Sequence, residues 1–146
     1  MGKIVFILDY ATCCSYMNWT YSSNAEVPER QPLYDLHLLS AMKVANEEEP
    51  LIFINNIISR ELSDNYQDRP ENISSFIEAT KSDNNFHLAM SPVESTLKQA
   101  SLYAFKKKPF VLVTGDTYLY EMAKKQGINV IKISELNLKM REHSIN

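Results

Sequence analysis

Short apolar runs alternate along the chain with longer segments that are apolar on one side only. The runs are rich in β-branched and aromatic residues, and they predict strands over residues 3–8, 51–54, 86–90, 110–113 and 128–133. The most apolar of them show no alternation between apolar and polar positions, which is typical of strands buried on both faces of a sheet. The pattern therefore predicts a buried, mostly parallel sheet.

Between the strands, apolar residues recur three and four positions apart. This spacing predicts helices over residues 33–47, 57–65, 71–80, 92–107, 118–125 and 134–141. Pro92 suits the first turn of a helix, and Gly127 suits the position just after one. The polar and aromatic segment 9–32 predicts a short helical turn followed by a loop.

Alternating strands and helices predict one fold class for the whole chain. We expect a single-domain three-layer α/β/α fold with a central, mostly parallel sheet, covering residues 1–146. No apolar run is long enough for a signal peptide or a membrane span, so we expect a cytoplasmic protein without a membrane partner. Cys13 and Cys14 are adjacent, and we expect both to be reduced thiols.

Charge and glycine content narrow the functions to consider. Lys and Arg number 15 against 18 Asp and Glu, so the net charge of −3 gives no general attraction to nucleic acid. The three glycines form no cluster of the kind that cradles a dinucleotide or a nucleoside triphosphate. Any contact with phosphate must therefore come from a local site.

Two acids directly follow predicted strands and mark a candidate site. Asp9 ends the first apolar run, and Asp116 follows the turn after the fourth. Functional groups of parallel sheets gather at the carboxyl ends of strands, where Glu61 and Glu94 could join them from helices. Each acid alone also fits a helix cap or a solvated helix residue. Together the four oxygen ligands predict a Mg²⁺ or Mn²⁺ site, which could activate water against a phosphodiester.

The segment around Asp116 resembles the C-terminal half of a PIN domain. An apolar strand ends in Thr-x-Asp at 114–116, and the family's spacing continues with Leu119, Ala123, Gly127, Ile128 and Val130. Asp9 matches the family's first acid, and the segment 57–62, with Glu61, resembles its second-acid segment. Glu94 stands where the family usually has Asp at the start of a helix.

This resemblance implies a Mg²⁺- or Mn²⁺-dependent endoribonuclease that cuts single-stranded RNA. Asp9, Glu61, Glu94 and Asp116 would bind the metal, and the Thr114 hydroxyl would hold a carboxylate or a metal-bound water. Such proteins act as toxins or as RNA-processing factors, so an antitoxin, a processing partner or a second copy in a homodimer are the partners implied. Tyr10 after Asp9 and Glu94 in place of Asp depart from the family pattern. They leave open an inactive scaffold that binds RNA or a protein.

Basic residues supply candidate RNA contacts. They are Arg60, Lys106, Lys107, Lys108 and Lys124. The lysines among them close predicted helices and also suit helix capping and solvation, and Arg60 is next to the second acid, Glu61. A receiver-like or phosphatase-like domain would also place an acid after its first strand. We disfavour it because no second acid follows Asp9 closely and no lysine is expected at the end of a late strand.

Overall fold

A computed structural model describes residues 4–21, 30–46 and 50–143. Its strands form a single sheet and are β1 (Val5–Leu8), β2 (Ile52–Asn55), β3 (Lys81–Asp83), β4 (Phe110–Thr114) and β5 (Val130–Lys132). Every pairing is parallel, and the strand order is β3-β2-β1-β4-β5. The predicted parallel sheet is confirmed.

Helices cover both faces of this sheet. They are α1 (Tyr10–Tyr21), α2 (Arg30–Asn46), α3 (Asn56–Asn65), α4 (Pro70–Glu78), α5 (Pro92–Phe105), α6 (Thr117–Lys125) and α7 (Leu136–Glu142), the last preceded by a 3-10 turn at Ile133–Glu135. Ala100 of α5 and Ala123 of α6 pack with Ile7 and Leu112 on one face. Buried residues of the other five helices pack on the opposite face. The predicted three-layer α/β/α fold is confirmed.

The third strand is not where the apolar pattern predicted it. Residues 86–90 form turns, and β3 is the polar segment Lys81–Asp83. As an edge strand, β3 needs no apolar side chains on both faces, so hydrophobicity gave no signal for it. Phe86 lies in a loop, and its side chain is buried. The Asn56 side chain accepts a hydrogen bond from the Phe86 backbone N (3.2 Å) and donates one to the Phe86 carbonyl (2.8 Å).

The first helix is longer than the short turn that we predicted. It spans Tyr10–Tyr21, because Cys13, Tyr16 and Met17 form a buried stripe against the core. Polar residues between them concealed this periodicity. The predicted loop extended to residue 32, but α2 already begins at Arg30. The part of that loop over 22–29 and the predicted element ends at residues 3 and 47 lie outside the described residues.

The chain reverses direction across the sheet between β3 and β4. From β1 to β3 the strands step one way, with α1 to α4 on one face; β4 and β5 step the other way, with α5 and α6 on the opposite face. Right-handed crossovers require both changes together. The carboxyl ends of β1 and β4 therefore flank the point where α/β sheets of this kind open a ligand-binding crevice.

None of the helices within the described part of the chain combines the length and the apolarity needed to cross a bilayer.

Candidate active site

Polar residues form a row across the carboxyl edge of the sheet, one from each strand or the position after it. Pairing aligns Asn55 with Asp83 and Thr114 with Lys132. Leu8 pairs with Val113, so one further step places Asp9 beside Thr114. We call this set the polar row: Asp83, Asn55, Asp9, Thr114 and Lys132. Paired positions of parallel strands point to the same face, here the face that α5 and α6 cover.

Asp9 lies at the centre of the polar row and is 3% exposed. The Thr114 hydroxyl donates to its Oδ2 at 2.5 Å, and the Thr12 backbone N donates to its Oδ1 at 2.9 Å. Burial raises the pKa of the Asp9 carboxyl, the hydrogen bonds from Thr114 and Thr12 oppose that rise, and the negative charge of Asp116 adds to it. Asp9 is thus a desolvated carboxylate beside a second acid.

Asp116 meets the same Thr114 hydroxyl from the other side. Its backbone N donates to Thr114 Oγ1 at 2.9 Å, while its Oδ1 caps α6 by accepting from the backbone N of Tyr118 (2.8 Å) and of Leu119 (3.2 Å). Its Oδ2 accepts no hydrogen bond from the part of the chain that the structure describes. Asp9 and Asp116 each use only Oδ1 to accept hydrogen bonds from the start of the following helix. Capping a helix is therefore compatible with a role of the same residue in an active site.

Glu61 lies on α3 on the side that faces α1. Its Oε2 lies 3.4 Å from Asn65 Nδ2, and its Oε1 lies 3.9 Å from an Arg60 guanidinium nitrogen. The same Asn65 Nδ2 lies 2.6 Å from the hydroxyl of Tyr10, the residue after Asp9. Glu61 is thereby linked to the neighbour of Asp9 but not to Asp9 itself.

Glu94 is exposed on the first turn of α5, where Ser91 caps its backbone N at 3.1 Å. The residue that this turn directs inward is Ser95, which is fully buried. Over the described residues, no three His, Cys, Asp or Glu side chains group as a metal site would require. The structure brings together Asp9, Thr114 and Asp116, and it does not bring Glu61 and Glu94 to them.

Asp9 and Asp116 suit a hard divalent cation. Both offer carboxylate oxygens, and Mg²⁺ is usually held through one or two carboxylates with water and substrate phosphate completing its shell. Burial is the main cause of the raised pKa of Asp9, and the negative charge of Asp116 adds the smallest contribution, because two like charges repel each other. A cation between them would offset this repulsion.

A second buried polar network, which the sequence did not reveal, adjoins this site. Asn55 caps α3 through the backbone N of Ile57 and Ile58, and donates to Gln99 Oε1 at 3.2 Å. Gln99 Nε2 donates in turn to Asp83 Oδ2 at 2.8 Å. Asn55 interrupts an apolar strand just as Asp9 does, so the same signal could have found it. Asp83 stayed hidden because β3 was misplaced.

Tyr103 of α5 completes this network. Its hydroxyl donates to Asp83 Oδ2 at 2.6 Å. Burial, and next the hydrogen bond to the Asp83 carboxylate, raise the pKa of the Tyr103 hydroxyl. The network is therefore a set of linked hydrogen bonds that ties α5 to β2 and β3.

The candidate RNA-binding lysines fall at two edges of the sheet. Lys106, Lys107 and Lys108 lie between the end of α5 and the start of β4, and so at the amino edge, away from Asp9. Lys124 lies in the last turn of α6, but its Nζ reaches back to within 5.5 Å of the Tyr120 ring centroid. Arg60 donates to the Leu88 carbonyl at 3.1 Å.

One argument against a phosphatase-like domain was wrong. Lys132 is the last residue of β5 and pairs with Thr114, so a lysine does end a late strand. The predicted strand over 128–133 had concealed this by extending past it. The other argument stands, since the residues directly after Asp9 are Tyr10 and Ala11.

No family model and no curated protein sequence matches this chain. The resemblance to PIN domains stays a prediction.

Proposed function

We propose that this protein is a metal-dependent endoribonuclease of the PIN type, acting on single-stranded RNA inside the cell. The observation that carries the proposal is that the Thr114 hydroxyl bonds both the Asp9 carboxylate and the Asp116 backbone N, which brings the two acids near each other where the strand order reverses. Crevices at that point are where open α/β sheets bind ligands. Thr114 and Asp116 are also the two residues of the Thr-x-Asp motif that resembles the PIN family.

In this proposal, Asp9 and Asp116 would hold Mg²⁺ or Mn²⁺. The metal, when bound, supplies a Lewis acid and a water of lowered pKa for attack on a phosphodiester. Thr114 fixes the orientation of the Asp9 carboxylate through its 2.5 Å hydrogen bond, and its lone pair accepts from the Asp116 backbone. Burial of Asp9 excludes water from one side of the site, which strengthens electrostatic interactions there.

The direct test is the variant Asp116→Asn, assayed for cleavage of single-stranded RNA in Mn²⁺ and in Mg²⁺. Asn caps helices as well as Asp, so α6 should keep its start and the thermal midpoint should change little. We expect loss of cleavage together with an unchanged circular dichroism spectrum. The matched control is Glu121→Gln, which removes an exposed charge from the same helix. Full activity of Asp116→Asn would refute the proposed mechanism.

A parallel assay with a phosphate monoester separates a nuclease from a phosphatase. Lys132 at the end of β5 is the feature that makes this comparison necessary. We expect hydrolysis of RNA and none of p-nitrophenyl phosphate. Hydrolysis of the monoester alone would replace the nuclease by the phosphatase-like alternative.

The second candidate is an inactive scaffold with the same fold. The positions of Glu61 and Glu94 favour it, since neither carboxylate joins Asp9 and Asp116. Titration with Mn²⁺ separates the two candidates, because a ligand that binds the folded state raises the thermal midpoint by mass action. We expect a rise for the wild type that is absent in Asp116→Asn. Equal responses of both proteins would favour the scaffold.

A further inference from the structure

A small cavity opens beside Asp116 on the β5 side of the polar row. It has a volume of about 190 Å³ and lies between the turn at 114–117 and the segment 132–134, with Tyr120 of α6 on its wall. Pockets that enclose whole small molecules typically measure about 300–1,000 Å³. We call it the Lys132 cavity; its size suits one small group of a larger ligand.

One cation, Lys132, lines this cavity, and a second, Lys124, lies near the Tyr120 ring that forms part of its wall. Lys132 Nζ lies 5.2 Å and Lys124 Nζ lies 5.5 Å from the centroid of the same Tyr120 ring. Each contact is a cation–π interaction, which fixes the position of an otherwise flexible ammonium group. Both ammonium groups therefore lie close to Tyr120, and Lys132 is the one that lines the cavity.

Neither ammonium group forms an ion pair within the described residues. The recorded ion pairs join Arg60 with Glu61, Arg69 with Asp68 and Lys139 with Glu142. Glu135 is near Lys132, but its Oε1 accepts from the Lys132 backbone N at 2.9 Å. Among the described residues, Lys132 therefore brings a positive charge without an ion-pair partner to the cavity, and a bound anion would supply that partner.

The anionic neighbour of the cavity limits what could bind there. Asp116 lines the same cavity, and its Oδ1 is occupied by the capping bonds to α6. A ligand must therefore place a negative group against Lys132 while the rest of it lies near an acidic centre. A phosphodiester strand does this, because one phosphate can contact Lys132 while the next lies at Asp9 and Asp116.

We propose that the Lys132 cavity binds a phosphate of the RNA strand adjacent to the phosphate that is cleaved. The proposal rests on the proposed function for the placement of the cleaved bond, but the anion-binding cavity itself does not require catalysis. Lysine contacts phosphate as a point charge and reads no base, so this subsite contributes affinity and register without sequence preference.

The test measures RNA binding without cleavage. A short fluorescein-labelled single-stranded oligoribonucleotide is titrated in EDTA and followed by fluorescence anisotropy. Lys132→Ala should weaken binding about fivefold and should reduce the slope of log affinity against log salt by about 0.7. Lys125→Ala, an exposed neighbour of Lys124 that lines no part of the cavity, should leave both quantities unchanged.

The outcomes separate this proposal from the proposed function. Binding that depends on Lys132 in a protein that never cleaves RNA would support the subsite and refute the nuclease. Equal affinities of Lys132→Ala and Lys125→Ala, or no binding by the wild type, would overturn the subsite whatever the activity. Oligoribonucleotides with and without a 5′-phosphate show which phosphate the cavity binds. A rise in affinity that comes from the 5′-phosphate and depends on Lys132 would assign a terminal phosphate. Equal affinities of the two oligoribonucleotides would assign an internal phosphate.

Discussion

At the scale of single residues, the Asp9 carboxyl group is the main feature of the candidate site, because its burial raises its pKa. Asp9 has both oxygens hydrogen-bonded, yet loss of water is the largest influence on its pKa, which is raised from 3.8. A group whose pKa is higher in the folded state stabilises that state below the pKa of the unfolded chain. This stabilisation is lost as the pH rises through the folded-state pKa.

The first prediction concerns the pH dependence of stability. In EDTA, the free energy of unfolding of Asp9→Asn relative to wild type should increase from about pH 4 to about pH 8, since Asn does not titrate. The increase should be about 1.4 kcal/mol for every tenfold difference in the acid constant between the two states. Urea unfolding across this pH range measures it, with Glu121→Gln as the control; a constant difference would mean that Asp9 is solvated.

Sequence could identify some site residues and not others, for a reason of geometry. Asp9 and Asp116 interrupt apolar runs, and a strand end has a fixed place in a parallel sheet. Glu94 lies on a helix, where each residue rotates the side chain by about 100°. That single step separates the exposed Glu94 from the buried Ser95. Hydrophobic periodicity was too irregular there to resolve one position.

At the scale of elements, the position after the C-cap of α5 is occupied by Lys107, where helices commonly have glycine. Lys107 has a φ of +57°, a left-handed conformation that α6 instead gives to Gly127 at +72°. Left-handed backbone costs a residue with a Cβ about 1 kcal/mol. The chain therefore leaves α5, which ends at Phe105, through a conformation at Lys107 that this residue disfavours.

The second prediction follows from this conformation. Lys107→Gly should raise the free energy of unfolding by about 0.5–1 kcal/mol, because glycine adopts this φ without steric cost. Urea unfolding measures the change. The control is Lys106→Gly at φ −78°, where glycine relieves nothing and should destabilise. A loss of stability in Lys107→Gly would indicate that Lys107 is not left-handed in solution.

The third prediction concerns the hydrogen bond between α5 and the end of β2. Asn55→Ala should destabilise by about 1–3 kcal/mol, because it removes a cap and leaves Gln99 Oε1 without its donor. A double-mutant cycle with Gln99→Ala should give a coupling of about 1 kcal/mol. Asn129→Ala, which removes a bond to the Phe110 carbonyl at the amino edge, should be additive with Asn55→Ala. Additivity of the Asn55–Gln99 pair would contradict a shared network.

The elements that were predicted wrongly share a physical cause. β3 consists of polar residues only, and in α1 polar residues such as Ser15 and Asn18 stand among the buried apolar ones, so neither segment shows a clear apolar pattern. β3 is specified by its parallel pairing with β2, which is a long-range contact. Strands at the centre of the sheet, by contrast, are buried on both faces and could be predicted from composition alone.

At the scale of the whole molecule, the two edges of the sheet differ in charge. The carboxyl edge carries Asp9, Asp116 and Lys132, with the Lys124 ammonium group near the Tyr120 ring, whereas Lys106 and Lys107 are exposed at the amino edge. Sequence could place all these residues on elements. It could not say which lysines share an edge with the acids, because that depends on the Lys124 side chain reaching back along α6.

The last prediction uses this division to locate the RNA-binding edge. The double variant Lys106→Gln with Lys107→Gln should change RNA affinity less than about twofold and leave the salt slope unchanged, since phosphate contacts act only at short range. Lys124→Ala with Lys132→Ala removes the same number of charges from the carboxyl edge and should reduce both affinity and slope. Anisotropy titrations at several salt concentrations compare the two variants. The opposite ranking would place the RNA strand at the amino edge, too far from Asp9 and Asp116 for these acids to act on it.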